Sequence, residues 1–447
     1  MNHVAKRSLI AWQSVVSLLV AATSPASATA DDPAPTRDEV VAAMRPYTGP
    51  TVAGVDVSTL VGKLTVGYQG WFTTPGDGAG RGYRHYSKRG EFRPGRCSID
   101  LWPDVGEFPA AERDATEFRH ADGRPAEVFS SYRPSTVLRH FEWMRTYGLD
   151  GAFVQRFVVE TSDPRALRHC NAVLGAAREG ANRNGRGYAV MYDLSGLRAG
   201  ETARAVDDWK LLVDRMRLGR DDADRAYFHH RGRPVVAVWG VGFGDGRGYT
   251  LAECARLIDF LKKDPRYGGN TVLVGVPTGW RTLDRDAVRD PVLHDVLRRA
   301  DVVSPWTVGR YHSPETAERH AERDLRADLD WCRTAGLDHL PVVFPGFSWH
   351  NLKSDAPVDQ IPRLKGAFLW SQIAAAKRAG AAMLYVAMFD ELDEATAIFK
   401  CTNDPPVGAS PFLTYEGLPS DYYLRLAGAG ARMLRGEIPA DAPQPEP

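Results

Sequence analysis

The sequence has few cysteines, no excess of charge of either sign and no long apolar run beyond its first residues. Its five cysteines are widely spaced and form no CxxC pair, which argues against a zinc site of the usual spacing. The 447 residues carry 56 basic and 56 acidic side chains, so the chain has no basic footprint for nucleic acid. No later segment is apolar and long enough to cross a bilayer. We expect a globular protein, monomeric, with no nucleic-acid or membrane partner.

Several catalytic and nucleotide-binding motifs are also absent from the sequence. It contains no HExxH, no GxSxG and no GxxxxGK[ST] segment. Glycine-rich stretches at 76–80 and 240–244 do not complete a GxGxxG pattern at the required spacing. We therefore expect neither a nucleotide cofactor nor a metal.

The N-terminal thirty residues have the layout of a secretory signal. Lys6 and Arg7 precede an apolar run at 9–22, and Ala28-Thr29-Ala30 offers small residues for cleavage. The alternative is an uncleaved anchor, but the run is shorter than the ~20 residues that a membrane span needs. The pattern predicts a signal peptide at 1–30, a secreted mature protein and a lead-in segment at 31–59.

Eight apolar runs, nearly all separated by helical patterns, predict the fold. Most are apolar on both faces, as expected of parallel strands covered by helices outside and packed side chains inside. Asp163-Pro164 and Ser313-Pro314 predict helix starts, and Gly148, Gly336 and Gly380 predict helix ends. The pattern favours an α/β fold, a single (β/α)8 TIM barrel at 60–435, over a doubly wound open sheet. The eight runs are 64–72, 149–153, 188–194, 234–239, 271–276, 301–306, 340–344 and 383–389.

The connection after the first strand departs from this rhythm. Residues 73–134 are rich in glycine, proline and aromatic residues and show no clear helix. A loop this long is usually functional or disordered, and its aromatics favour a wall of the active site. Because a barrel brings its first and last loops together, a Cys97–Cys401 disulfide is a hypothesis for an exported protein. The tail at 436–447 is expected to be flexible.

The strongest chemical signal lies just after the last apolar run. Asp390, Glu391, Asp393 and Glu394 place four acids in five positions. The carboxyl ends of barrel strands form the active-site face, and glycoside hydrolysis divides two roles between two carboxyl groups. Two other interpretations remain open: the acids cap the next helix, or they bind calcium.

Polar and aromatic side chains also follow other strands, a combination typical of carbohydrate sites. Aromatic faces stack on sugar rings while polar groups bind the hydroxyls, although a single tryptophan is more often part of the core. The candidate substrate-binding residues are Tyr68, Gln69, Trp71, Trp102, Gln155, Arg156, Asp193, Trp239, Trp306, Trp349, His350 and Asp390.

Three segments carry a resemblance to a known group of proteins. They are residues 67–72, GYQGWF, residues 100–103, DLWP, and residues 150–157, DGAFVQRF. Together they resemble bacterial proteins grouped with glycoside hydrolase families 71 and 99, often labelled xylosidase or arabinosidase. The resemblance covers most of residues 60–430 and implies a metal-independent (β/α)8 glycosidase, of the retaining endo-α-mannosidase type in family 99 or the α-1,3-glucanase type in family 71.

The segment 390–396 is similar to the catalytic segment of family 99, Asn-Glu-Trp-His-Glu-Gly-Thr. By that likeness Glu391 is the base that acts on the sugar 2-hydroxyl, and Glu394 is the acid that protonates the leaving oxygen. Asp390, Leu392 and Asp393 replace the asparagine, tryptophan and histidine of that segment. The alternative is therefore a barrel that binds carbohydrate without cleaving it, and a cation-dependent hydrolase is a third hypothesis.

Overall fold

The computed structural model describes residues 34–353 and 355–447 of the chain. The predicted signal peptide at 1–30 lies outside the described residues.

A cylindrical parallel sheet forms the centre of the molecule, as the apolar runs predict. In the described part of the chain its order is β10-β9-β8-β7-β5-β4-β1-β12-β11, with every pairing along that path parallel. This closed order confirms the (β/α)8 barrel and excludes the doubly wound open sheet. The barrel strands are β1 Leu64–Tyr68, β4 Gly151–Phe157, β5 Gly187–Asp193, β7 Arg233–Trp239, β8 Thr271–Val276, β9 Val302–Pro305, β10 Asp338–His339, β11 Val342–Val343 and β12 Leu384–Val386.

The seventh barrel strand is divided in two, and its two parts close the cylinder. β10 pairs with β9, whereas β11 pairs with β12. Pro341 lies between them and cannot donate a backbone hydrogen bond, but its carbonyl accepts one from Tyr385 N at 3.0 Å. The apolar run at 340–344 therefore corresponds to one barrel position occupied by two short strands.

Helices surround the sheet and begin at the predicted residues. The Asp163 side chain caps the helix at Pro164–Asn184 through Ala166 N, and Ser313 forms a capping box at the start of the helix at Pro314–His320. Gly148 and Gly380 end the helices at Pro134–Tyr147 and Ala367–Ala379 in the left-handed conformation, with φ of 77° and 98°. The helices are α1 Arg37–Ala43, α2 Pro134–Tyr147, α3 Pro164–Asn184, α4 Ala203–Met216, α5 Leu251–Lys263, α6 Val292–Leu297, α7 Pro314–His320, α8 Arg326–Thr334, α9 Ala367–Ala379 and α10 Tyr422–Leu434.

The long connection after β1 is ordered around its own aromatic core. It contains an antiparallel hairpin of β2 Asp114–Arg119 and β3 Pro125–Val128. Trp102 is buried there, with its ring 5.9 Å from Phe92 and 5.1 Å from Phe118. The aromatics of this loop therefore stabilise it as a packed layer against the barrel. A second small hairpin pairs β6 His229–His230 with β7.

The two ends of the described chain lie against the barrel. The lead-in segment contains α1, and Val52 and Val55 donate backbone hydrogen bonds to carbonyls at the end of α3. The tail carries no helix or strand from 436 on, and Trp370 of α9 donates to the Ala442 carbonyl at 3.1 Å. None of the helices in residues 34–353 and 355–447 is long and apolar enough to cross a membrane.

The five cysteines are all free thiols in this structure. The Cys97 thiol contacts Ser410 Oγ at 3.3 Å, and Cys401 is buried beside Tyr415. The hypothesis of a Cys97–Cys401 disulfide is therefore wrong for this structure: each thiol is enclosed by other partners.

Candidate active site

The carboxyl ends of the parallel barrel strands lie together at one end of the barrel, here called the mouth. The last strand, β12, leads into residues 390–396, here called the acid segment. This segment is a compact loop: Ala397 N donates to the Glu391 carbonyl at 2.9 Å, and Met388 N donates to the Thr396 carbonyl at 3.1 Å. The next helix of the described chain, α10, begins only at Tyr422. The interpretation of the acids as helix caps is therefore wrong.

Asp390 joins the acid segment to the end of β1. Its two carboxylate oxygens accept hydrogen bonds from Gln69 N at 2.7 Å and Gly70 N at 2.8 Å. These bonds draw the chain out of the sheet after Tyr68, which is why β1 is shorter than the predicted 64–72. The Asp390 carboxyl is fully enclosed, and burial raises its pKa to about 7. The Asp390 carboxyl therefore fixes the backbone at the end of β1 and is not accessible to a ligand.

Glu391 is held by a hydrogen bond at each carboxylate oxygen. Gln69 Nε2 donates to Oε1 at 3.1 Å, and Thr396 Oγ donates to Oε2 at 2.8 Å. Both donors favour the ionised carboxylate. Burial and the nearby charges of Glu394 and Asp393 outweigh them and raise the pKa of Glu391 well above its usual value. An ionised Glu391 would consequently be a strong base.

Glu394 differs from Glu391 because its carboxyl has no hydrogen-bond partner among the described residues and part of the residue is exposed. Burial raises its pKa to about 7, and the Lys353 ammonium opposes this rise. The charge of Glu394 also raises the pKa of Glu391, so the protonation of one carboxyl depends on that of the other. The pair can thus supply one acid and one base at the same time.

Asp393 lies between the pair in the sequence and contacts the long first loop. Its Oδ2 is 3.2 Å from His85 Nδ1. The imidazole in turn stacks on the Trp71 indole at a centroid distance of 3.7 Å and an interplanar angle of 5°, and Phe157 also stacks on the indole at 5.5 Å. The His85 ring therefore covers a face of the Trp71 indole, so that face is not free to stack on a sugar.

Strand alternation decides which other candidates reach the mouth. Gln155 points inward, where Nε2 donates to the Tyr385 hydroxyl at 3.2 Å, and Oε1 has no partner within the described residues. Asp193 points inward from β5, accepts a bond from Ser195 N at 2.7 Å and has its pKa raised by burial. Burial and the charges of Glu391, Asp390 and Asp193 raise the pKa of Tyr385, the inward-facing side chain that accepts the Gln155 hydrogen bond.

The remaining aromatic candidates form two groups, one on the side of the mouth opposite the acid segment and one beside the acid segment. Trp239 and Trp306 meet edge to face at 5.5 Å, and the Arg247 guanidinium lies 5.1 Å from the Trp239 ring. β7 and β12 occupy opposite positions of the eight in the barrel, so this cluster faces the acids. Trp349 and His350 belong to the loop that carries Lys353; the His350 ring donates to the Ala356 carbonyl of its own loop at 2.6 Å.

Three predicted site residues lie away from the mouth. Tyr68 is buried against α2, with its hydroxyl 2.8 Å from His140 Nδ1. Arg156 is buried between the strands and helices, in a bidentate pair with Asp208 at 2.6 Å. Trp102 is enclosed in the core of the first loop. Each of these side chains therefore stabilises packing outside the barrel.

Two residues that sequence reasoning missed organise the acid segment. Asp100 accepts hydrogen bonds from Ser348 Oγ at 2.5 Å, His350 N at 2.7 Å and Asn351 N at 2.8 Å. Its own N–H donates to the Leu392 carbonyl at 2.9 Å. His85 is the second, and neither contact has a local signal, since the partners are separated by about 250 to 308 residues. Asp100 was visible only as part of the DLWP segment.

A calcium site receives no support from the geometry. The carboxyls of Asp390, Glu391 and Asp393 each contact different groups, as described above. Within residues 34–353 and 355–447, no group of three or more His, Cys, Asp or Glu side chains could hold a metal ion.

Comparisons with known proteins place the fold. No family model matches the sequence, and no curated protein does. A solved GH99 endo-α-mannosidase from Bacteroides thetaiotaomicron is similar, with a TM-score of 0.61 and 15% identity over 85% of this chain and 99% of that chain. A second structure, of the GH99 endo-α-mannosidase in complex with bis-tris-propane, has a TM-score of 0.59 and 16% identity over the same shares. At this identity the likeness shows the fold, a (β/α)8 barrel spanning most of the chain.

Proposed function

We propose that the protein is a glycoside hydrolase that cleaves a polysaccharide or glycan with Glu391 and Glu394 as its acid–base pair. One observation carries the proposal: these two carboxyls lie in a mouth whose buried polar atoms lack partners. Among the described residues, such atoms include Gln69 Oε1, Trp71 Nε1, Gln155 Oε1, Trp239 Nε1 and Asp393 Oδ1. Buried polar groups normally find a partner, and the hydroxyls of a sugar would supply both donors and acceptors.

The assignment of roles rests on the hydrogen bonds of the pair and on the likeness to the family 99 segment. Glu391, held as an acceptor by Gln69 and Thr396, takes the proton from the sugar 2-hydroxyl. The 2-oxygen then attacks C1 as the bond from C1 to the leaving oxygen breaks, and Glu394 gives its proton to that oxygen. A 1,2-anhydro sugar is formed.

The second step restores both carboxyls. Glu394, now ionised, takes a proton from water while the water oxygen attacks C1. The bond between C1 and the 2-oxygen breaks, and that oxygen recovers its proton from Glu391. The product keeps the anomeric configuration of the substrate, because C1 is attacked twice from alternating faces.

The substrate proposal follows the fold neighbours, whose names describe them as endo-α-mannosidases. Purified protein would be incubated with α-mannan, α-glucan, arabinan and xylan, and product anomers followed by NMR. We expect reducing ends from an α-linked glycan, with the α-anomer appearing first. Affinity for a glycan without product would contradict hydrolysis and favour a binding barrel, and a first-formed β-anomer would contradict retention.

We further propose that the protein is exported after removal of residues 1–30. The support is the basic, apolar and small-residue order of that segment. N-terminal sequencing of the protein recovered from culture medium should begin at Asp31. Retention of the intact chain in the cells would contradict export.

A further inference from the structure

His85 reaches the acid segment from the long first loop and is fixed on two sides. Its Nδ1 is 3.2 Å from Asp393 Oδ2, and its ring lies flat on Trp71 at 3.7 Å. The His85 backbone has a φ of 60°, an uncommon conformation for a residue other than glycine. The Ser98 hydroxyl donates to the His85 carbonyl and helps to hold this conformation. The imidazole is therefore placed firmly at the edge of the mouth.

The charges around this pair favour its uncharged form. Burial, with Arg84, Arg81 and His169, lowers the pKa of His85 well below its usual value. Burial, with Glu394, Asp390 and Asp100, raises the pKa of Asp393 well above its usual value. A neutral Asp393 carboxyl donates its proton to Nδ1. The ring hydrogen of a neutral His85 must then lie on Nε2.

The other ends of both groups are left for a ligand. The structure shows no hydrogen bond at His85 Nε2 within the described residues, and the side chain is 19% exposed. Asp393 Oδ1 is buried without a partner, as are Gln69 Oε1 and Trp71 Nε1. His85 Nε2 and these three atoms therefore supply two donors and two acceptors on side chains that contact the acid segment or His85, an arrangement suited to neighbouring hydroxyl groups, each of which can donate and accept.

We propose that His85 is a substrate-binding residue whose Nε2–H donates a hydrogen bond to a sugar hydroxyl beside Glu391, and that Asp393 positions the ring and fixes this tautomer. The inference rests on the proposed function and deepens it. It identifies a contact supplied by the long loop, outside the acid segment itself.

The tautomer can be measured directly by long-range ¹⁵N–¹H correlation NMR on full-length protein labelled at histidine. The His85 signal would be assigned by its loss in His85→Gln. We expect a neutral ring protonated at Nε2 at pH 7. The ring should keep this form in Asp393→Asn, whose amide N–H still donates to Nδ1. A ring protonated at Nδ1, or an imidazolium, would overturn the proposal.

The substrate contact is tested by matched variants with α-mannan as the probe. His85→Phe keeps a flat ring against Trp71 but removes the donor, whereas His85→Gln restores an N–H. For His85→Phe we expect KM to rise about tenfold, the cost of one hydrogen bond of typical strength, with kcat changed by less than about threefold. His85→Gln should recover part of the loss. An unchanged KM in His85→Phe would contradict the contact.

The two proposals fail separately. A wild-type protein that cleaves no glycan would refute the proposed function. A ring protonated at Nδ1 in an active enzyme would refute the His85 inference alone. Circular dichroism of His85→Phe checks that the variant is folded, and the NMR measurement on wild type does not depend on any variant that fails to fold.

Discussion

At the scale of single residues, burial raises the pKa values of the site's carboxyl groups, and a few contacts oppose this rise. Burial raises the pKa of both Glu391 and Glu394, and Lys353 is the cation that opposes the rise at Glu394. With both carboxyls ionised the enzyme has no acid to protonate the leaving oxygen. Activity should therefore fall as pH rises through about 7, the pKa of Glu394, because Glu394 then loses the proton that it gives to that oxygen.

Replacing Lys353 with methionine tests this balance. Without the ammonium, ionised Glu394 is less favoured, so its pKa rises and the alkaline limb of the rate profile moves to higher pH. We expect the ratio of activity at pH 6 to that at pH 8 to fall by roughly twofold to fivefold, a modest effect because Lys353 is partly exposed and screened. Lys353→Arg should keep the wild-type profile. A limb that moves to lower pH would contradict the account.

At the scale of elements, three loops meet at the acids. Asp100 of the first loop accepts hydrogen bonds from Ser348, His350 and Asn351 of the loop after β11, and its N–H donates to Leu392. The side chain is almost fully enclosed, so the backbone N–H groups that it satisfies have no water to replace it.

Changing Asp100 to alanine should therefore loosen the mouth and destabilise the fold. An unsatisfied buried donor costs about 1–3 kcal/mol, so we expect a loss of about 3 kcal/mol in the free energy of unfolding in urea. The rate at saturating substrate should fall at least about tenfold because the loop that carries Lys353 is no longer held. Asp330→Ala, at a side chain that is 65% exposed, is the control. Wild-type stability and activity in Asp100→Ala would show that this brace is dispensable.

At the scale of elements, the sequence predicts the strands and helices but not all of the contacts between them. The eight strands, the helix caps and the acid segment follow from local patterns. A local pattern also accounts for two incorrect site predictions, Tyr68 and Arg156. They are one residue from the inward-facing Gln69 and Gln155, so strand alternation places them on the helix-facing side of the sheet. By contrast, the contact of His85 with Asp393 joins residues 308 apart and leaves no periodic trace. The split of the seventh strand depends on pairing with two different neighbours.

At the scale of the whole molecule, the buried acids of the mouth lower the free energy of unfolding. Burial raises the pKa of Asp390, Glu391, Asp393 and Glu394 in the folded protein. A raised acid pKa means that the folded state binds protons more tightly than the unfolded state. These groups therefore cost nothing below pH about 4, near the usual carboxyl pKa, and they reduce stability progressively as pH rises through neutrality.

Glu391→Gln should relieve part of this cost. Its amide can keep the bonds to Gln69 and Thr396 without a charge. We expect its melting temperature to exceed that of wild type by about 1–4 °C at pH 8 and to converge with it near pH 4, as measured by calorimetry. Glu142→Gln, at an exposed position on α2, should match wild type at both values. A Glu391→Gln protein less stable than wild type at pH 8 would count against buried repulsion in the mouth.

The central claim is that Glu391 and Glu394 together break a glycosidic bond, and initial rates of reducing-end release test it most directly. Wild type, Glu391→Gln, Glu394→Gln and the exposed control Glu142→Gln would be compared on the same glycan. The account predicts a loss of at least about 1,000-fold for each of the first two variants, and wild-type rates for the control. Rates within about tenfold of wild type in either Glu391→Gln or Glu394→Gln would contradict it.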